Sequence, residues 1–462
     1  MNPNVGLTRA LFGTSLAFHI IFATMGVGLP LLIALAEILA LWRRDPLYRL
    51  MARRWAAFFA VFLGASVASG TIVALQLQLL WPAFMRLAGQ IIALPFAIEV
   101  FAFFIEAVFT AVYLYAGDRI RPGLRIFSAL LVAVGAGASA LLITDVNAFM
   151  NTPTGFTLQD GRLVDVHPWR AMLSPAMPTE ITHVLVTAYL AVAFALAAFC
   201  AVAWLRGAPG RENDYRRREL SLTMGVATVA GVLTAITGDL SGKFLAAVQP
   251  VKFAAAEGLF QTSSAAALNV GGIPVATTGV TRGGIDIPRL LSWLATGRWH
   301  GQVQGLFAFP RSDWPPIGVT HPLFDLMVTV GGLALLAAAL YWLWRWRSGG
   351  PAEARPPRWL LQGLVVMGPI AMSGIEFGWI FAEIGRQPWT VTGVMTTAQA
   401  ATTTPYAGTL FFPFVGLYLL LAIGTVLAVR THLRSHPLGV DLGGPSGPAP
   451  GDGAGRRAVM GG

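Results

Sequence analysis

The stretch GWIFAEIGRQPW (378–389) ends an apolar segment with Glu383 inside its last turn, Glu376 two turns earlier, and Arg386, Gln387, Pro388 and Trp389 directly after it. An ionised carboxylate near the centre of a lipid-embedded helix costs about 3 kcal/mol or more, so such groups face a protein interior and serve a function there. Other residues of the same kind recur in apolar surroundings: His19, His183, Met327 and the pair Glu99 and Glu106. Histidine and methionine are axial ligands of haem iron and together give a six-coordinate, low-spin electron carrier, whereas a lone His or Glu leaves a position open for a small molecule. Zinc fits less well, because no two histidines within the apolar segments stand at ligand spacing and the single cysteine, Cys200, cannot build a thiolate site. Glu99 and Glu106 lie two helical turns apart with no basic residue near them, the form of a proton or ion route. In the amphipathic stretch QPVKFAAAE (249–257), Lys252 and Glu257 stand five apart. They read either as a donor and a base flanking a lipid-soluble substrate or as a solvated ion pair on an interfacial helix.

These residues must be positioned by membrane helices. Of 462 residues, 55% are hydrophobic and 12% charged, half the roughly 25% charged share of a soluble domain. Long apolar runs recur along the whole chain, which predicts an all-α polytopic membrane bundle of nine spans, at about 14–41, 55–80, 93–117, 125–149, 180–205, 219–240, 321–344, 359–385 and 409–429. The 32 Lys and Arg alternate between the two sides of these spans. Twenty-one fall on one side and 11 on the other, six of the 11 in a long 241–320 loop where the charge rule is weak. The N-terminus is therefore expected outside and the C-terminus in the cytoplasm. The net charge of +10 belongs to this topology and gives no reason to expect nucleic acid. Residues 1–435 read as one transmembrane domain containing the outer loop 241–320, and the Gly- and Pro-rich stretch 436–462 reads as a disordered cytoplasmic tail. Span 1 reads as retained, and neither a soluble catalytic domain nor an internal repeat is discernible.

With that topology, His19, His183, Met327, Glu99 and Glu383 come from five helices and fall within roughly 10 Å of the outer face, at 1.5 Å per residue. A lone histidine at a helix end is more often a hydrogen-bonded residue, a Met is more often packing, and Glu383 could simply pair with Arg386. The common depth favours a cofactor layer over these separate readings. A coupled transporter using Glu99 and Glu106, or a haem electron carrier without oxygen chemistry, stands as the alternative.

Taken together the motifs resemble subunit I of the cytochrome bd quinol oxidases, over nearly the whole chain and in family order. GTSLAFHIIF, IEVFAFFIE, TEITHVLVTAY, QPVKFAAAE, FDLMV and GWIFAEIGRQPW carry the resemblance, the last almost letter for letter. The resemblance implies that His183 and Met327 hold a low-spin haem b. It implies that His19 and Glu383 hold the oxygen-site pair, a high-spin haem b and a haem d or a third haem b. It assigns Lys252 and Glu257 to quinol, Glu99 and Glu106 to catalysis, and Arg9, Arg386, Gln387 and Trp389 to the haem propionates and their surroundings. It further implies oxidation of membrane quinol at the outer face, O2 reduced to water with cytoplasmic protons, and a bacterial cell membrane location. The expected partners are a second membrane subunit and a small single-helix one. Asp325 stands where the family pattern commonly has Arg, the glutamates in span 3 are seven apart where eight is more familiar, and the loop after Glu257 resembles the short-loop branch.

Overall fold

The computed structural model describes residues 5–207, 210–349, 355–404 and 407–443. Among them nine helices are long and apolar enough to cross a membrane. They are span 1 (Val5–Trp42), span 2 (Pro46–Leu80), span 3 (Pro82–Ala116), span 4 (Pro122–Asn151), span 5 (Met177–Leu205), span 6 (Arg211–Val248), span 7 (Ile317–Arg347), span 8 (Arg358–Ile384) and span 9 (Phe411–Ser435). The number and order agree with the sequence reading; the ends do not. Spans 1 and 6 are 38 residues long and spans 2 and 3 are 35, well past the ~20 that cross the hydrocarbon. Backbone hydrogen bonding does not stop at the lipid boundary, so the helices carry their charged flanks as extra helical turns. Arg49, Arg53 and Arg54 ride on span 2, and Glu212 to Arg218 on span 6.

Those flanks are cross-tied. Asp45 caps span 2 by accepting from the Leu47 amide at 3.0 Å and also pairs with Arg218 of span 6. Arg49 reaches Asp118 at 2.7 Å, and Arg54 pairs with Asp441. That last contact corrects the expected tail. Residues 436–443 are placed, with the helix Leu438–Asp441 burying Leu438 and Leu442 against the core around span 2. Apolar anchors and an ion pair thus outweigh the Gly- and Pro-rich composition up to residue 443, while 444–462 lie outside the described residues.

In lipid, helices gain little from hydrophobicity and associate where small residues let backbones approach. Gly28 of span 1 meets Val192 of span 5, Gly368 of span 8 meets Ala198 of span 5, and Gly374 of span 8 meets Val330 of span 7. Around these contacts one core of spans 5 to 8 packs Phe194, Trp204, Met224, Tyr341 and Leu364, and a second joins spans 1 and 2 through Leu29, Leu32, Met51 and Trp55. A third, toward the N-terminal end of span 1, gathers Leu11, Phe84, Ile91 and Phe149 of spans 1, 3 and 4 with Val391. Span 9 is peripheral, with Tyr418 its one buried side chain.

Between spans 6 and 7 the chain folds into a small layer. A helix at Pro250–Ala256 precedes two nested antiparallel pairs, Leu268–Val270 with Ile285–Ile287 and Ile273–Val275 with Val280–Arg282, and then a helix at Leu290–Thr296. Phe253, Ala266, Leu291, Ala295 and Val303 form its apolar centre. After span 8, a hairpin pairs Trp389–Val391 with Met395–Thr396.

A Cβ at Gly28 would lie 2.4 Å from Val192 Cγ2. Gly28→Ala is expected to lower the thermal unfolding midpoint in detergent by the ~1–3 kcal/mol of an overpacked core, and Val192→Ala should relieve it little, because its own Cβ would still stand 2.6 Å away. An unchanged midpoint in Gly28→Ala would mean that spans 1 and 5 can separate without cost.

Candidate functional site

Two helix-borne histidines, His19 and His183, share one kind of environment. His19 on span 1 has Nδ1 3.0 Å from Ser69 Oγ of span 2, and Ser69 Oγ itself donates to the Ala65 carbonyl at 2.7 Å. His183 on span 5 has Nδ1 3.0 Å from Thr237 Oγ1 of span 6, which donates to the Leu233 carbonyl at 2.9 Å. Each hydroxyl proton is committed to a backbone oxygen four residues back, so each hydroxyl accepts from Nδ1–H. That assignment leaves Nε2 with its lone pair free, the state in which a histidine binds a metal, with the partner hydroxyl fixing the ring. A glycine follows each hydroxyl. A Cβ at Gly70 would stand 3.0 Å from His19 Cε1, and one at Gly238 3.5 Å from His183 Cε1. His19 and His183 each lie nine residues above the Gly28–Val192 contact on parallel helices, so they share a depth. Met327 Sδ lies 3.2 Å from where a Cβ on Gly378 would stand, which brings spans 7 and 8 together close to that level.

Glu383 ends span 8 in a web of partners. Arg386 Nη2 donates to its Oε2 at 2.6 Å and Asn147 Nδ2 to its Oε1 at 2.5 Å. Asn151 Nδ2 donates both to Asn147 Oδ1 at 2.9 Å and to Glu180 Oε1 at 2.8 Å. Gln387 Oε1 accepts from Thr397 Oγ1 at 2.7 Å, which ties the turn to the hairpin that Trp389 begins. Arg9 is exposed near the start of span 1. Among the described residues, the buried Nε and Nη1 of Arg386 and both buried oxygens of Glu376 have no partner. A buried guanidinium edge without an acceptor suits an anionic group that is not part of the chain.

Glu99 corrects the single-layer expectation. It accepts from Ser139 Oγ of span 4 at 2.6 Å. Ser139 is eight residues along that helix from Asn147, so Glu99 lies about 12 Å below Glu383. Span 3 begins at Pro82 rather than near residue 93, so its first turns carry Glu99 deeper. Glu106, two turns further along span 3, is buried, and Gly135 of span 4 packs against it. Below it on the same helix stand Thr110, whose buried hydroxyl has no partner among the described residues, and Tyr113. Tyr113 donates to Glu37 at 2.7 Å, and Arg125 closes the cluster with a 2.9 Å ion pair to Glu37.

Lys252 and Glu257 are not a solvated pair. Each is only 6% exposed, because the helix Pro250–Ala256 is pressed down onto the spans. They face different helices. Lys252 Nζ donates to the Ala382 carbonyl of span 8 at 3.2 Å and lies 5.4 Å over the Phe381 ring. Burial pushes its ammonium down to about 8, against the opposing pull of Glu180 and Glu383. Burial, aided by the Asp325 carboxylate of span 7, pushes Glu257 up to about 8. Asp325 is occupied, accepting from the Gly271 amide at 2.6 Å with His321 Nε2 3.5 Å away.

Sequence reading missed Ser69, Thr237, Asn147, Asn151 and Glu180. A Ser-Gly and a Thr-Gly in spans 2 and 6, 50 and 54 residues after the two histidines, were the available signal. They also mark a repeated device where no internal repeat was read.

Residues 7–437 match the family described as cytochrome bd terminal oxidase subunit I. The chain is 43% identical to the putative cytochrome bd menaquinol oxidase subunit I of Bacillus subtilis (strain 168), over 94% of this chain and 98% of that one. It is 30% identical to the cytochrome bd ubiquinol oxidase subunit 1 of the same organism, over 94% of each chain. It also resembles the solved bd oxidase from Geobacillus thermodenitrificans, with a TM-score of 0.88 and 43% identity over 95% of this chain and all of that one. Such proteins are haem-dependent terminal quinol oxidases assembled from more than one subunit, and this chain belongs to the cytochrome bd terminal oxidase subunit I family.

Proposed function

We propose that this chain takes electrons from a membrane quinol at the outer face and passes them to O2, with water formed from cytoplasmic protons. The observation that supports this best is the matched setting of His19 and His183, each with Nδ1 held by a back-bonded hydroxyl and Nε2 free. In this reading His183 and Met327 hold a low-spin haem b, while His19 and Glu383 hold a high-spin haem b and a haem d or third haem b. The unpaired edge of Arg386 suits haem propionates, and Arg9, Gln387 and Trp389 shape the rim around them. Bound haems supply one-electron transfer and oxygen binding; everything else falls to the chain. The N-terminus is outside and the membrane is that of a bacterial cell, with a second large subunit and a small single-helix one as partners. Menaquinol, named for the 43% identical relative, is the quinol to test first.

Quinol oxidation requires a base for the hydroxyl protons and a donor for the developing quinone oxygens. Glu257 is the base and Lys252 the donor, both shielded from water by the folded loop. Protons for water come from below, along Tyr113, Thr110, Glu106 and Glu99, a stripe on one side of span 3.

Thr237→Val is expected to weaken the low-spin haem by about 10- to 100-fold, the usual effect of losing a partner that orients a ligand. The reduced-minus-oxidised spectrum reads this, with the oxygen-site bands retained; an unaltered low-spin band would break the link between Thr237 and iron. Quinol turnover should follow a bell centred near pH 8. Glu257 is protonated and cannot accept a proton below about 8, and Lys252 loses its charge above about 8. Glu257→Gln should remove most quinol activity while an artificial one-electron donor still drives oxygen consumption. Equal loss with both donors would assign Glu257 to folding. Glu106→Gln should cut turnover sharply yet leave the low-spin spectrum in place. Normal turnover and normal charge movement in liposomes would exclude Glu106 as an obligatory relay.

A further inference from the structure

Glu257 directly follows a helix of seven residues, Pro250–Ala256, too short to keep its shape without tertiary contacts. The last carbonyls of any helix have no partner within it and must find one elsewhere. On either side of Glu257 a side chain meets that need. His321 of span 7, fully buried, lies with Nδ1 2.6 Å from the Ala256 carbonyl, and since a carbonyl only accepts, the ring donates. Thr281, on the strand Val280–Arg282, donates from Oγ1 to the Gly258 carbonyl at 2.7 Å. The Glu257 amide itself donates to the Phe253 carbonyl at 3.0 Å. The backbone is therefore held at the Glu257 N–H and at the carbonyls of the residues before and after it. Gly258 makes this possible: its φ is +60°, and a Cβ there would stand 2.8 Å from Thr281 Oγ1 and 3.4 Å from His321 Nδ1. The clamp has a footing of its own. His321 Nε2 lies 3.5 Å from Asp325 Oδ2, one turn further along span 7, and the same oxygen accepts from the Gly271 amide at 2.6 Å. One turn of span 7 thus seats both the short helix and the nested strand pairs.

We propose that His321 and Thr281 are positioning residues for quinol oxidation, clamping the backbone around Glu257 so that its carboxylate meets the substrate hydroxyl, with Asp325 seating the clamp. This rests on the quinol role given above to Glu257. Proton transfer to a base depends steeply on distance and alignment, so a base carried by a loop needs its backbone fixed. Neither His321 nor Thr281 moves a proton here: Glu257 takes it, and the clamp keeps Glu257 within reach. Asp325, which stands where the family pattern commonly has Arg, thereby serves the loop in this chain.

The test uses the purified oxidase with all its subunits, carrying His321→Leu, His321→Asn or Thr281→Val, each alone and together with Glu257→Gln. His321→Leu should lower the quinol kcat by about ten- to a hundredfold, the scale of misplacing a reacting group by an ångström. The quinol KM should stay within about twofold, as when an interaction is lost from the transition state alone. His321→Asn, whose side-chain N–H can stand where Nδ1–H stood, should recover most of the kcat. Thr281→Val keeps the shape without the donor and should lower kcat by about three- to tenfold, the worth of one neutral hydrogen bond. Neither His321→Leu nor Thr281→Val should add to Glu257→Gln, because both act through that residue. Oxygen consumption with an artificial one-electron donor should stay within about twofold throughout, since the clamp acts on the quinol step alone. If His321→Leu fails to assemble, Thr281→Val and His321→Asn decide the matter. An unchanged quinol kcat in His321→Leu and Thr281→Val, or equal loss with both donors, would overturn the proposal while leaving the quinol oxidase reading intact. Full quinol activity in Glu257→Gln would instead overturn the role of Glu257, and with it the basis of the clamp.

Discussion

A polar side chain inside a membrane helix stays there only if something else in the protein holds it. This constraint organises most of what distinguishes the chain from a generic helical bundle. Histidine Nδ1 protons go to Ser69 and Thr237, the Glu383 carboxylate goes to Arg386 and Asn147, and Glu99 takes the Ser139 hydroxyl. Each pairing joins two spans or stiffens one turn. The polar groups therefore set helix register as well as chemistry. The glycines beside them follow from the same demand: a ring or a thioether can approach a neighbouring helix only where a Cβ is absent.

The path from sequence to site runs through small offsets along helices. A shift of one residue on span 2 would turn Ser69 by about 100° and carry it away from His19. The close contact of Gly28 with Val192 prevents such a slide between spans 1 and 5 and keeps the two histidines level. Packing nine residues away thereby fixes the geometry of the two histidines.

Much of this was legible in the sequence for a plain reason. Membrane helices announce themselves by apolar length, and an ionisable residue within one is conspicuous, so nine spans and His19, His183, Glu99, Glu106 and Glu383 could be singled out from residue type, and Met327 only by its depth beside them. Helix ends could not, because a helix that leaves the lipid keeps its hydrogen bonds while its composition turns polar; that is why Glu99 proved deeper than read. The partners were harder still. Ser69, Thr237, Asn147 and Asn151 are unremarkable residues whose value lies in what stands opposite them, and opposition is a tertiary fact. Lys252 and Glu257 were found by type, but the sequence could not say that the short helix carrying them is buried and divided between spans 7 and 8. Residues 436–443 misled by composition, since two leucines and one aspartate decide their fate more than the glycines and prolines around them.

The seating of Lys252 against Ala382 and Gly385 bears on how such proteins can be altered. A loop closing over a substrate is often treated as an interchangeable module, to be exchanged between relatives to alter which substrate is accepted. Here the loop's lysine occupies a socket cut into the end of span 8. The two surfaces are one fitted joint, and a graft that replaces the loop without residues 382–386 would bring a key without its lock.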